Sequence, residues 1–227
     1  MCGADGKYSV TLTAPSKWLT ELTFKITGQQ CVHLPNPIDR DLFSPGDQRE
    51  ARRQLGLPEK GMLVLAGADS LQDPRKGFDL LQEAWARIRS EDAKLALFGR
   101  HGVTRPGQVY LGNLVSDSDM VAAYRAADLY VHPARMENAP CTIQESLACG
   151  TPVAAFRVGG IPEMVKDGRN GILVASVSSG ALAEALQKTL SDADRLKKMQ
   201  QACRNQPAEN PWEEKIASLL RAAVGKA

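Results

Sequence analysis

No apolar run in the chain approaches the roughly 20 residues that a membrane-spanning helix needs, and residues 1–7 lack the apolar centre of a signal peptide. The five cysteines, Cys2, Cys31, Cys141, Cys149 and Cys203, form no Cys-x-x-Cys pair, and none stands at metal-ligand spacing from His33, His101 or His132. No metal site is therefore expected, and reduced thiols in a reducing compartment are the simplest reading. The expectation is a cytoplasmic protein without a membrane span, although peripheral contact with a membrane surface is compatible with it. Charge of one sign is also missing. The net charge of +2 is nearly neutral, and the basic residues are spread out apart from short pairs such as Arg52-Arg53 and Lys197-Lys198, so no nucleic-acid partner is expected. The first apolar strand is not followed by Gly-x-Gly-x-x-Gly, and no Gly-Lys-Ser/Thr phosphate loop occurs. Both absences argue against a nicotinamide or ATP site of the usual kind. There is no internal repeat and no low-complexity tract.

What is present is an ordinary globular composition, 43% apolar and 24% charged over 227 residues, enough for one large domain or two small ones. Short apolar runs at 62–66, 95–98 (ended by Gly99), 109–111, 129–131, 153–156 and 171–174 read as buried strands. Helical patterns alternate with them: 77–89 with Phe78, Leu81, Trp85 and Ile88 on one stripe, then a helix capped by Ser116 or Asp117, then 140–149, 161–165, and a region begun by Leu182, Leu186 and Leu190. Repeated strand–helix–strand units predict an α/β fold, a doubly wound, Rossmann-like parallel sheet. Ligands bind such sheets beyond the carboxyl ends of the strands, which directs attention to the loops 68–76, 100–107, 132–140 and 157–162.

The two ends fit this domain less well. Residues 8–13 read as a strand and 15–24 as a short helix. Leu34-Pro35-Asn36-Pro37-Ile38-Asp39 reads as a stiff linker, and 47–55 as a helix closed by Gly56. Pro207 and Pro211 interrupt the chain before a last helix with Trp212, Ile216, Leu219 and Leu220 on one side. Both ends look made to pack on something beyond the central sheet.

The most informative stretch is Glu137-Asn138-Ala139-Pro140-Cys141-Thr142-Ile143-Gln144-Glu145, two glutamates eight positions apart with a helix start between them. Carboxylates accept hydrogen bonds from hydroxyls, and a helix N-terminus faces anions, a combination suited to a sugar nucleotide. Taken singly, Glu137 is equally a carboxylate welcomed by a helix dipole, and Glu145 a solvent-facing residue. Arg75-Lys76-Gly77 places cations at a helix start, where the dipole disfavours them unless an anion binds; a pair of solvated loop charges is the alternative. Gly159-Gly160 is either a phosphate-cradling turn or a tight turn needing positive φ. His101 sits in a candidate site loop, where a lone histidine is more often incidental.

These residues, in this order, resemble the retaining GT-B glycosyltransferases of glycosyltransferase family 4, the group 1 transferases. The resemblance rests on Pro15-Ser16-Lys17-Trp18-Leu19, Pro35-Asn36-Pro37-Ile38-Asp39, Arg75-Lys76-Gly77-Phe78, Gly112, Tyr124-Arg125-Ala126-Ala127-Asp128, the two spaced glutamates, Ala148-Cys149-Gly150-Thr151-Pro152-Val153 and Gly159-Gly160-Ile161-Pro162-Glu163. It implies one half of a GT-B fold: residues 1–30 the last strand and helix of an N-terminal acceptor domain, 31–206 the nucleotide-sugar-binding domain, and 207–227 the crossover helix.

The resemblance further implies transfer of a glycosyl group, with retention, from a nucleoside-diphosphate sugar to a glycan or lipid-linked acceptor. Glu137 would contact the transferred sugar, Lys76 the diphosphate and Glu145 the ribose hydroxyls. Backbone N–H groups near Asn138, Ala139, Pro140, Cys141 and Thr142 would face phosphate and sugar. Gly67 is followed by Ala68 where family members commonly carry an arginine, and Arg75 from the neighbouring turn is the candidate replacement. Gly67, Ala68 and His101 are further candidates for the site. The sugar nucleotide is a substrate, and no cofactor is implied. The implied partner is the N-terminal GT-B domain or a chain supplying it, without which the isolated chain is expected to be inactive; bared apolar ends would favour self-association. A non-catalytic nucleotide-sugar-binding or assembly module is the alternative function.

Overall fold

The computed structural model describes residues 10–90, 92–206 and 212–224. The chain divides into two compact units, one of residues 1–37 with 209–227 and the other of residues 38–208. In the first unit, β1 (Leu12–Ala14) and β2 (Cys31–His33) pair in parallel, with Leu12 opposite Cys31 and Ala14 opposite His33. Between them runs α1 (Lys17–Thr27), opened by the Ser16 side chain accepting from Leu19 N and closed at Gly28, whose φ is 70°. The predicted strand at 8–13 is shorter and shifted toward Ala14; its residues 8 and 9, like Pro207 and Pro211, lie outside the described residues. No residue of α1 is buried, and Val10, Phe24, Ile26 and Val32 are exposed. The later helix of this unit, Trp212–Val224, carries an exposed Leu220.

The second unit is the doubly wound sheet. It opens with α2 (Gln48–Gln54), whose N-cap is Asp47. Then follow β3 (Met62–Ser70), α3 (Phe78–Trp85), β4 (Ala93–Arg100), β5 (Gln108–Tyr110), α4 (Asp117–Ala126) and β6 (Leu129–His132). The rest comprises α5 (Cys141–Ala148), β7 (Val153–Phe156), α6 (Ile161–Met164), β8 (Gly171–Val174), α7 (Ser179–Leu190) and α8 (Ala193–Arg204). Six strands lie in the order β5-β4-β3-β6-β7-β8, all parallel. The chain winds outward from β3 to β5, then returns to lay β6 on the other side of β3 and winds out to β8. The switch point lies between β3 and β6, where Val64, Leu65 and Ala66 pair with Leu129, Tyr130 and Val131.

Alternation of side chains along each strand builds two cores. Leu63, Leu65, Ala96, Phe98, Tyr130 and Ala155 pack beneath α2, α4 and α5. Val64, Ala66, Leu95, Leu97, Val131 and Phe156 pack beneath α3, α7 and α8. Because both faces are covered, every strand residue of the centre is apolar, which is why these strands read as continuous runs. A buried ion pair locks the switch strands in place. Arg52 on α2 meets Asp128 at 2.8 Å, and the other demand on that carboxylate oxygen is Leu63 N at 2.7 Å, so α2, the start of β3 and the start of β6 share one anchor.

Several element ends differ from the sequence expectation, three of them with a clear backbone cause. β3 continues past 66 because Gly67 and Ser70 still pair with Phe98 and Arg100 through backbone groups that do not require apolar side chains. For the same reason β4 runs through Gly99 to Arg100. The helix expected to reach 89 stops at Trp85: the N–H groups of Arg87 and Ile88 bond three residues back, to Ala84 and Trp85, tightening the end into a turn.

Candidate functional site at the sheet switch point

Two loops leave the carboxyl ends of β3 and β6 side by side. The first makes a single 3-10 turn, Pro74–Lys76, and enters α3 through Gly77. The second runs from Pro133 to Pro140 and enters α5, whose N-cap is Pro140, with no side-chain cap and no acidic residue in its first turn. The loops are tied together by Arg135, whose N–H donates to Arg75 O at 2.8 Å while its guanidinium reaches Pro74 O and Asp79, each at 2.7 Å.

Two glycines let the backbones approach this closely. Gly77 has φ 67°, and a Cβ on it would stand 2.0 Å from Pro133 O. Gly159, after β7, has φ 53°, and a Cβ there would stand 1.7 Å from Glu137 O. The segment 133–137 is thus pressed from both sides by residues that have no side chain. Gly159→Ala is expected to destabilise the unit by about 2 kcal/mol, since it combines a left-handed backbone with a clash against main chain that has nowhere to move. Urea denaturation reads this directly.

The clamped segment brings Glu137 to Lys76. Lys76 Nζ donates to Glu137 Oε2 at 2.6 Å across a sequence separation of 61, and both side chains are mostly shielded from solvent. His132, the last residue of β6, places Nε2 3.5 Å from the same oxygen. Burial opposes the charge on Glu137, yet the His132 ring and the Lys76 ammonium outweigh it and hold the carboxyl at about 2. Burial drives the His132 pKa down, so its ring is neutral at neutral pH.

Glu145 lies one stage further along α5. It is half-buried, not turned to solvent, and Tyr124 Oη donates to its Oε2 at 2.8 Å. Burial raises its pKa, and the Tyr124 hydrogen bond only partly offsets this. The helix connecting β6 and β7 therefore begins beside one carboxylate that stays charged and carries a second whose charge is costly until something binds it. A polyol offers hydroxyl donors for such groups, and the uncapped end of α5 offers a favourable field for an anion.

The other candidates take varied places. Arg75 is 74% exposed and its guanidinium is engaged by Asp73 at 2.7 Å, which already neutralises the cation at that helix start. Asn138 N donates to Glu137 Oε1 at 3.2 Å. Ala139 and Thr142 are half-buried, Pro140 is buried, and Cys141 is exposed as the first residue of α5. Gly67 and Ala68 are buried within β3, with Gly67 O accepting from Tyr130 Oη at 3.0 Å. His101 takes an unusual left-handed φ of 60° and lies 3.3 Å from Ser70 Oγ. With Leu71, Phe78, Gln82 and Arg105 it lines a separate cavity of about 180 Å³. Sequence reasoning missed the direct Lys76–Glu137 pair, the role of Tyr124 as partner of Glu145, and His132 as their buried neighbour. The signal for Tyr124 was in its spacing, since a polar tip on an otherwise apolar helix stripe asks for a partner.

The parallel, Rossmann-like sheet is shared with solved glycosyltransferases of GT-B fold. Residues 61–192 match the family described as "Glycosyl transferases group 1", and the chain belongs to that family. It is 31% identical to the D-inositol 3-phosphate glycosyltransferase of Stackebrandtia nassauensis over 96% of this chain and 54% of that protein. Among solved structures, sucrose-phosphate synthase from Thermosynechococcus elongatus superposes with a TM-score of 0.83 at 25% identity, over 97% of this chain and 60% of that one. Anabaena HepE in complex with UDP and glucose superposes with a TM-score of 0.80 at 20% identity, over 95% of this chain and 64% of that one. The chain spans about half the length of the curated relatives it matches. No helix among the described residues is long and apolar enough to cross a membrane.

Proposed function

We propose that this chain is the sugar-nucleotide-binding half of a retaining glycosyltransferase of glycosyltransferase family 4, transferring a glycosyl group from a nucleoside-diphosphate sugar to a glycan or lipid-linked acceptor. The observation that carries this reading is the Lys76–Glu137 pair at the β3/β6 switch point, 2.6 Å across, beside the uncapped N-terminus of α5. Open α/β sheets bind ligands at that place. A complex of HepE with UDP and glucose supports the ligand class.

In this reading Lys76 and the first turn of α5 take the diphosphate and stabilise the charge that grows on it as the glycosidic bond breaks. Glu137 orients the sugar, and Glu145 receives the two ribose hydroxyls, each of its oxygens accepting one. The acceptor contacts and the wall that excludes water come from sequence complementary to this chain, in keeping with its coverage of about half of the relatives. Residues 1–30 and 207–227 serve as the join to that part. The free thiols of Cys31, Cys141, Cys149 and Cys203 fit a cytoplasmic location.

The pH dependence follows from the two glutamates. Glu137 has a folded pKa below its ordinary value of 4.5, so its contribution to stability is full above that value and is lost as the pH falls through about 2. Glu145 is shifted the other way, so its ionisation opposes folding, and the carboxylate form that accepts ribose hydroxyls disappears on acidification sooner than for an ordinary glutamate. Nucleotide affinity is therefore expected to start falling at a pH above 4.5, while the fold persists to lower pH; calorimetric titrations alongside circular dichroism separate the two.

The functional test is reconstitution. Fused to a group 1 N-terminal domain, the chain is expected to transfer a glycosyl group with the donor's anomeric configuration kept, read by NMR of the product. A folded fusion that binds donor but neither transfers nor slowly hydrolyses it would contradict catalysis by this half.

A further inference from the structure

His132 is 3% exposed; among the described residues its Nδ1 has no hydrogen-bond partner, and its Nε2 has only a long contact, to Glu137 Oε2. A buried imidazole so poorly satisfied is costly, and a native structure keeps one where a better contact forms later or where the ring serves a site. Its surroundings are specific. The ring packs against Tyr130 with centroids 6.2 Å apart, and Nε2 faces Glu137 Oε2 at 3.5 Å, longer than a good hydrogen bond. That oxygen is already taken by Lys76 at 2.6 Å. A lone pair aimed at a carboxylate would be repulsive, which assigns the neutral tautomer with the proton on Nε2.

One cation cannot serve two anions equally. In the reading given under Proposed function, on which this inference rests, Lys76 turns to the donor's diphosphate, and Glu137 then loses its short contact at the moment it must hold the sugar. We propose that His132 is a positioning residue that takes over Glu137 at that point, its Nε2–H closing on Oε2 as Lys76 leaves. The free protein thus holds Glu137 with lysine and keeps the imidazole in reserve; the loaded protein exchanges the two. Oε1, which accepts from Asn138 N at 3.2 Å, is left to face the sugar. The device needs a neutral histidine, because an imidazolium at Oε2 would repel the Lys76 ammonium and occupy the carboxylate before any donor arrives.

The test uses the full chain with UDP and UDP-glucose, GDP and GDP-mannose, and ADP and ADP-glucose. His132→Phe keeps an aromatic ring beside Tyr130 and removes the N–H; His132→Gln restores an N–H at similar reach. By calorimetry, His132→Phe is expected to lose about tenfold in affinity for both the nucleoside diphosphate and its sugar conjugate, since either draws Lys76 off Glu137, and His132→Gln recovers most of the loss. In a Lys76→Ala background there is no exchange to serve, so the same substitution costs less than about twofold, whereas a purely structural role would cost the same in both backgrounds. Proton–nitrogen NMR of the imidazole is expected to show the Nε2–H tautomer in the free chain and a downfield shift of that proton when the sugar nucleotide is added. A proton on Nδ1, or equal losses from His132→Phe with and without Lys76, overturns the role of His132 alone. Failure of the wild-type chain to bind any of the six probes overturns the donor reading, and the exchange with it.

Discussion

Replacing Lys76 with alanine is expected to weaken nucleoside diphosphate binding by about 100-fold, or about 2.7 kcal/mol. A charge-assisted contact to phosphate is among the strongest a protein makes. The nearest alternative cation in the sequence, Arg75, is committed to Asp73 and largely in solvent. The substitution also leaves Glu137 beside a neutral ring in a half-buried place. Its pKa then rises from about 2, because burial, which opposes the charge, is countered only by the His132 contact. Stability at neutral pH falls by about 1 kcal/mol, a figure kept small by partial solvent access to the pair. Affinity by calorimetry and stability by urea denaturation give the two effects separately. An unchanged affinity would place the diphosphate elsewhere.

Glu145→Ala is expected to cost about 10- to 100-fold in affinity for every nucleotide, with or without a sugar, since hydrogen bonds to a charged acceptor are worth about 1.5–3 kcal/mol. The sharper reading is a cycle with 2′-deoxynucleotides. If Glu145 grips the ribose, the wild-type chain discriminates against the deoxy ligand and the variant does not, so the two losses fail to add. Glu137→Gln is the contrasting variant: it removes the anion that competes with the diphosphate for Lys76, so plain nucleotide binding is not weakened, while the sugar conjugate loses its advantage. Tyr124 keeps the Glu145 carboxylate in place with its 2.8 Å hydrogen bond, so the alanine variant also strands a buried hydroxyl. Parallel stability measurements correct for that.

The sheet was legible because its strands are buried on both faces and so stand out as apolar runs, from Leu63 to Ala66 and from Leu95 to Phe98. What pairs through backbone alone was not legible: the extension of β3 to Ser70, and the three-residue β2. The helix stripe continuing to Ile88 misled, because Ile88 packs on the core from a turn rather than from α3. The site was legible in parts. The residue types and spacing of Glu137 and Glu145 marked the β6–α5 loop, and charge logic marked Lys76. Their meeting depends on strand order, with β6 returning to β3 across the sequence of β4, β5 and α4, and no local pattern encodes that order. His132 was invisible for a related reason. A strand residue's facing follows from alternation, but what waits above the strand end follows from the glycines at 77 and 159 that press the loop down.

Isothermal titration of the folded chain with UDP, GDP, ADP and their sugar conjugates is the most direct measurement of whether this is a donor-binding half. One base is expected to bind, with its sugar conjugate at least as tight as the bare diphosphate, and with binding lost in both Lys76→Ala and Glu145→Ala. A folded chain that takes up none of these ligands, or binds one with both variants unaffected, would contradict a donor site at the β3/β6 switch point.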